Sequence, residues 1–145
     1  MTWATDRLDQ LVAGDAQPPP VVQTLKLGLM DAWGEGWIRK TWQPLPELEN
    51  GDGTMFGGYL AALADQALAF AAMTVVGETQ AYRTINLQLN FVRVTRMVPL
   101  TIEARVVAVT RQVITVRAEF RREDGQLVAE ATAQQFLMPF PGAGS

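Results

Sequence analysis

The stretch from Asn50 to Val76, NGDGTMFGGYLAALADQALAFAAMTVV, constrains this chain more than any other, because it joins a glycine-rich loop to one long apolar run. From Gly58 to Met73 the residues are almost all strong helix formers, with Ala61, Ala62, Leu63, Ala64, Ala67, Leu68, Ala69, Ala71 and Ala72 among them. The run is apolar on every side rather than along one stripe, which is the pattern of a helix surrounded by protein or lipid. Lipid is the poorer choice. The run only reaches the spanning minimum of roughly 18 residues, and Asp65 with Gln66 sits at its midpoint, where an ionised carboxylate costs several kcal/mol. A helix enclosed by its own protein is expected, with no membrane partner.

Asp65 then needs a reason. Its neighbours three and four residues away are Ala61, Ala62, Leu68 and Ala69, so the helix offers it no cation. An unpaired carboxylate is costly to bury, so it either lies on a solvated edge, is bonded across a subunit interface, or is functional. Gly57 and Gly58 stand where the helix begins. Their amides are among the unpaired donors of a helix N-terminus and no side chain shields them, so they suit an anion or a developing oxyanion; a tight turn is the alternative use of such a pair. Asp65 is eight residues past Gly57, about 12 Å along the same helix at 1.5 Å per residue. One copy's glycine amides and its own Asp65 therefore cannot grip one small group. If both act on one substrate, two helices must meet, most simply from two chains about a two-fold axis.

At 145 residues the chain has the length of a single domain, 1–145, able to bury a core without staples. It contains neither cysteine nor histidine. Disulfides, thiol nucleophiles, Ser-His-Asp systems, histidine bases and nearly every zinc site are thereby excluded, and no metal is expected. Carboxylates, hydroxyls, amides and the backbone remain for chemistry. The first residues, MTWATDRLDQLVAGD, carry early acids and no apolar core segment, so a cytoplasmic protein is expected rather than a secreted one. A net charge of −3 argues against a nucleic-acid partner. Eight arginines nevertheless fall between Arg83 and Arg122 against Glu103 and Glu119. They are either solvated strand residues or a locally phosphate-friendly surface.

Along the chain, Thr2 to Ala13 suits a short helix ended by Gly14, residues 1–17 form this helix and a linker, and Gln17-Pro18-Pro19-Pro20 is a stiff connector. A strand is expected from about Lys26 to Ala32, and after the Gly34-Glu35-Gly36 turn a second from Trp37 to Trp42. After the long helix, Thr84 to Phe91 alternates, with Ile85, Leu87, Leu89 and Phe91 facing one way and Thr84, Asn86, Gln88 and Asn90 the other. Leu100 to Val106 and Ile114 to Phe120 repeat the alternation. Asp124-Gly125 suits a hairpin turn, and Leu127 to Met138 closes the set with Ala129, Ala131 and Ala133 opposite Glu130, Thr132 and Gln134. Residues 140–145 read as a loose tail. The order predicts an α+β fold in which two strands, the helix and a four-strand antiparallel meander build a curved sheet around one helix.

The segments NGDGTMFGGYLAALADQALAFAA, TINLQLNFVRV, LTIEARVVAVTRQ and DGQLVAEATAQQF together resemble the hotdog-fold acyl-CoA thioesterases, in particular the phenylacetate-pathway subgroup of the 4-hydroxybenzoyl-CoA thioesterase superfamily. The resemblance covers about Pro18 to Phe136. It implies a six-stranded antiparallel sheet wrapped around one long central helix, homodimers and often homotetramers, and a site at the dimer interface. The reaction implied is hydrolysis of an acyl-CoA to free acid and coenzyme A, with coenzyme A entering only as part of the substrate and no further cofactor. By the same resemblance the helix carboxylate, Asp65, is general base or nucleophile, and the Gly57 amide polarises the thioester carbonyl with Gly58 beside it. Asn50 helps place water or the thioester, and Thr84 holds the water. Phe56 and Tyr59 flank the glycines, and Arg93, Arg96 and Arg111 are candidates for the coenzyme A phosphates. Phe56 stands where such proteins commonly carry histidine. A binding module that holds acyl-CoA or another hydrophobic ligand without cleaving it is the alternative this departure raises.

Overall fold

The computed structural model describes residues 1–140; of the expected tail, 141–145 lie outside the described residues. Helix α1, Trp3–Ala13, is closed at both ends by its own sequence: Thr2 and Thr5 form a reciprocal capping box, and Gly14 takes φ 80° at the C-cap. Its face of Ala4, Leu8 and Leu11 is buried and packs toward the long helix. The prolines continue into a short helix, α2, Pro20–Thr24, because proline's fixed φ suits a first helical position. Strands β1, Ala32–Gly34, and β2, Trp37–Trp42, follow. The long helix, α3, runs Gly57–Met73, and after it come β3, Gln80–Phe91, β4, Leu100–Val109, β5, Val113–Arg122, and β6, Leu127–Pro139.

All six strands form one antiparallel sheet in the order β1-β2-β4-β5-β6-β3, and α3 packs against β2 to β6. Leu60, Leu63, Ala64, Ala67, Leu68 and Ala71 of the helix are buried in the same cluster as Ile102, Ala104, Val116, Ala118, Phe120 and Ala133 of the sheet. Alanines on both sides let helix and sheet approach closely, while Phe120 and the leucines fill the remaining volume.

Three expectations need correction. The expected strand at Lys26 to Ala32 is instead a loop that becomes strand only at Ala32. Lys26 and Gly28 have φ of 53° and 72°, outside the strand region, and their carbonyls go to side chains rather than to a ladder: Tyr59 Oη donates to Lys26 O at 2.9 Å and Gln66 Nε2 to Gly28 O at 2.7 Å. Second, β4, β5 and β6 do form a meander, but β3 does not join it beside β4. The segment after Phe91 crosses the open end of the sheet, where Met55 N donates to Thr95 O at 2.9 Å, and β3 pairs with β6 at the far edge.

Third, the helix is not enclosed on every side. Gly58 and Asp65 are exposed and Ala61, Ala62 and Ala69 only partly covered, at spacings that align them in one stripe. The sheet wraps the opposite face and ends at β3, twelve residues long with nothing paired to its outer edge among the described residues, against three residues for the other edge strand, β1. No helix among the described residues is long and apolar enough to cross a membrane.

Candidate active site

Asp65 projects from the middle of the open stripe of α3 toward the inner face of β3, where Thr84 Oγ1 donates to its Oδ1 at 3.1 Å. That contact depends on an irregularity. Thr84 pairs with Gln135 and Asn86 with Gln134, so Ile85 is bulged out of the ladder. A β-bulge resets the alternation by one residue. Tyr82 and Thr84 thus share the helix-facing side with Leu87, Leu89 and Phe91, and Ile85 is the extra residue that the bulge accommodates. The expected alternation, with Thr84 opposite Leu87, holds only from Asn86 onward, and it is the bulge that aims Thr84 at the carboxylate.

Two further side chains complete this end of the site. Thr84 Oγ1 also lies 3.0 Å from Oε1 of Gln135, which is fully buried on β6. Tyr82 sits close enough for the Asp65 charge to be felt: burial pushes its phenol well above the ordinary value, Arg83 opposes the rise and Asp65 adds to it, so Tyr82 is a neutral hydroxyl. Gln135 had a legible signal, because the buried face Ala129, Ala131, Ala133 continues to position 135 before Leu137, placing one amide in an apolar row. Tyr82 had none, since the strand appears in the sequence only from Thr84.

The second part of the site is the start of α3. Phe56 is the N-cap residue and makes no side-chain cap, and the amides of Gly57 and Gly58 have no acceptor among the described residues. Gly57 borders a groove of about 470 Å³ with Met55, Leu60, Phe91, Val92 and Val94, joined by Thr54, Arg93 and Thr95, a mainly apolar lining beside the free Gly57 amide. A side chain at position 57 would come within 3.0 Å of the Phe91 ring, and one at Gly58 within 2.7 Å of the Phe56 ring. Both contacts are with rings that are themselves more than half exposed, so a side chain at either position would displace a ring rather than backbone. Phe56 itself is 58% exposed.

The loop before α3 is held by its own polar residues. Asn50 Nδ2 donates to Thr54 Oγ1 and to Met55 O, each at 3.2 Å, and Thr54 Oγ1 donates to Asp52 Oδ1 at 2.6 Å. The Thr54 hydroxyl and then the Thr54 N–H, both donating to Asp52, hold its carboxyl below the usual range. Asn50 so braces the turn that presents Gly57. Tyr59 is placed differently from its neighbours. It is buried, donates to Lys26 O and accepts from Trp42 Nε1 at 3.3 Å, so it faces the core and not the groove.

The three arginines do not converge. Arg93 lines the groove and donates to Leu127 O at 2.7 Å, and the backbone of Arg96 forms an isolated antiparallel β-bridge with Thr54, its charge felt by Asp52. Arg111 lies toward the other end of β6, in a larger cavity of about 580 Å³ with Gln112 and Met138 that contains none of Asp65, Gly57, Asn50 or Thr84.

A family model described as the thioesterase superfamily matches residues 52–129. A protein of Saccharolobus solfataricus, provisionally named an esterase, is 31% identical over 86 residues, which are 59% of this chain and 61% of that relative, so the match spans less than two thirds of it. A solved structure from Ralstonia eutropha, described provisionally as a thioesterase and as a phenylacetic acid degradation-related protein, is 28% identical with a TM-score of 0.79, covering 89% of this chain and 98% of that one. A protein of Streptococcus mutans solved bound to acetyl-CoA shares the fold at 22% identity, with a TM-score of 0.70 over 76% of this chain and 87% of that one.

Proposed function

The chain belongs to the thioesterase superfamily, and from that premise we propose that it hydrolyses an acyl-CoA thioester at a site shared by two copies. The observation that carries this reading is the exposed Asp65 carboxylate, held by Thr84 on the one stripe of α3 that the sheet leaves open. Water placed beside Asp65 gives up a proton to the carboxylate as its oxygen bonds to the thioester carbon. The carbonyl oxygen becomes an oxyanion, and a helix-start amide, that of Gly57, stabilises it by roughly 3 kcal/mol. Collapse breaks the carbon–sulfur bond, coenzyme A leaves as thiolate, and the proton on Asp65 is available to it.

Because Gly57 and Asp65 stand about 12 Å apart on one helix, the amide that meets the Asp65 water belongs to a second copy. Two features support such pairing: the open stripe of Gly58 with the partly covered Ala61, Ala62 and Ala69, and the edge of β3, unpaired among the described residues, with exposed Phe91, Val92 and Val94 beside it. An unpaired strand edge is a template for another strand. The apolar groove at Gly57 suits the acyl or pantetheine chain, and the acetyl-CoA in the Streptococcus mutans relative is in keeping with a coenzyme A ester.

Thiol release from short, medium, long and aryl acyl-CoAs, compared between the wild type and Asp65→Asn, tests the reading. Hydrolysis of one class is expected, with kcat about 10²- to 10⁴-fold lower in the variant at equal thermal stability. Binding of acyl-CoA without release by the wild type would instead establish a binding module.

A further inference from the structure

Thr84 presents one hydroxyl proton to two acceptors. Its Oγ1 is 3.1 Å from Asp65 Oδ1 and 3.0 Å from Gln135 Oε1, while Gln135 Nε2, fully buried, has no partner among the described residues. One proton cannot serve both oxygens, so one of the two contacts would set lone pairs against lone pairs. A carboxamide has nearly the same shape after a half-turn that exchanges its oxygen and nitrogen, and the choice between the two is made from hydrogen bonding. With Nε2 toward Thr84, both short contacts become hydrogen bonds. The group left in the apolar surroundings is then a carbonyl rather than an N–H, the less costly of the two to leave without a partner.

We propose that Gln135 is a positioning residue for Asp65: its Nε2 donates to Thr84 Oγ1, which commits the only Thr84 proton to Asp65 Oδ1. The chain is directed, and it leaves Oδ2 free to face water. It is needed because Asp65 stands on an exposed stripe and takes no other hydrogen bond among the described residues. Gln135 is anchored in return, paired with Ile114 on one side and Thr84 on the other in the interior of the sheet. The rigid strand thereby sets the direction of a carboxylate that its own helix leaves free to rotate.

The role in catalysis rests on the thioesterase reading, whereas the direction of the chain does not. In the wild type, nuclear Overhauser effects from the Gln135 side-chain amide protons to the Thr84 side chain, with slow exchange of those protons, are expected; amide protons that show no such effect and lie away from Thr84 would overturn the proposal even if the protein is a thioesterase. If the protein cleaves no thioester, the same spectrum still decides the chain. With an active enzyme, Gln135→Met is expected to lower kcat by roughly tenfold with KM unchanged within about twofold, and to have no further effect when added to Thr84→Val. Additive losses, or a change confined to KM, would reduce Gln135 to a packing residue.

Discussion

At the scale of the residue, Lys40 shows how alternation can place a charge where propensity would not. Ile38, Lys40 and Trp42 share the inner face of β2, and Lys40 is only 1% exposed. Its ammonium donates to Leu27 O and to Gln66 Oε1, both at 2.6 Å, so it pins the loop before β1 to the helix next to Asp65. Burial lowers its pKa from 10.5 to about 8, with Asp31 opposing the fall. Below pH 8 Lys40 is charged in both folded and unfolded chains. Between pH 8 and 10.5 the unfolded chain keeps a proton that the folded one has released, so stability rises with pH across that window. The expected gain is on the order of 3 kcal/mol. Urea unfolding at several pH values checks this: the rise is present in the wild type and absent from Lys40→Met, and parallel curves for the two would refute it.

At the scale of the element, α3 owes its stability to enclosure on one side. Leu63 has no exposed surface and sits on the sheet-facing side of the helix. Leu63→Ala is expected to cost about 2–5 kcal/mol, the range for emptying a packed leucine site, read as a lower urea midpoint at unchanged slope. The helix and its span were legible because a sixteen-residue run made up mostly of helix formers leaves little choice. Strands β4 to β6 were legible because apolar residues alternate and Gly125, at φ 86°, marks the hairpin. What was not legible was the bulge at Ile85. A bulge adds one residue with no change in composition, so strict alternation across it assigns Thr84 to the wrong face. The loop at Lys26 was not legible either, because its carbonyls are satisfied by Lys40, Tyr59 and Gln66, side chains distant in sequence.

At the scale of the whole molecule, one copy presents an open helix stripe and, among the described residues, a strand edge with no partner, and the proposed mechanism calls for a second copy to bring a Gly57 amide to Asp65. Light scattering is expected to give at least a dimer, and Ala61→Arg, which sets a long charged side chain on the partly covered stripe, is expected to give a folded monomer that has lost thiol release. A wild-type monomer with full activity would refute the shared site. By itself the sequence determined the central helix, the sheet around it, the carboxylate at its midpoint and the glycines at its start, since these follow from local propensity and short spacings. The absence of histidine and cysteine likewise restricted the chemistry to carboxylate, hydroxyl and amide. Only the tertiary structure decided that β3 leaves the meander for the far edge, that the bulge turns Thr84 inward, and that Gln135 stands behind it. Those outcomes depend on which strand pairs with which and in what register, and pairing is settled by the packing of the whole sheet against α3 rather than by any one segment.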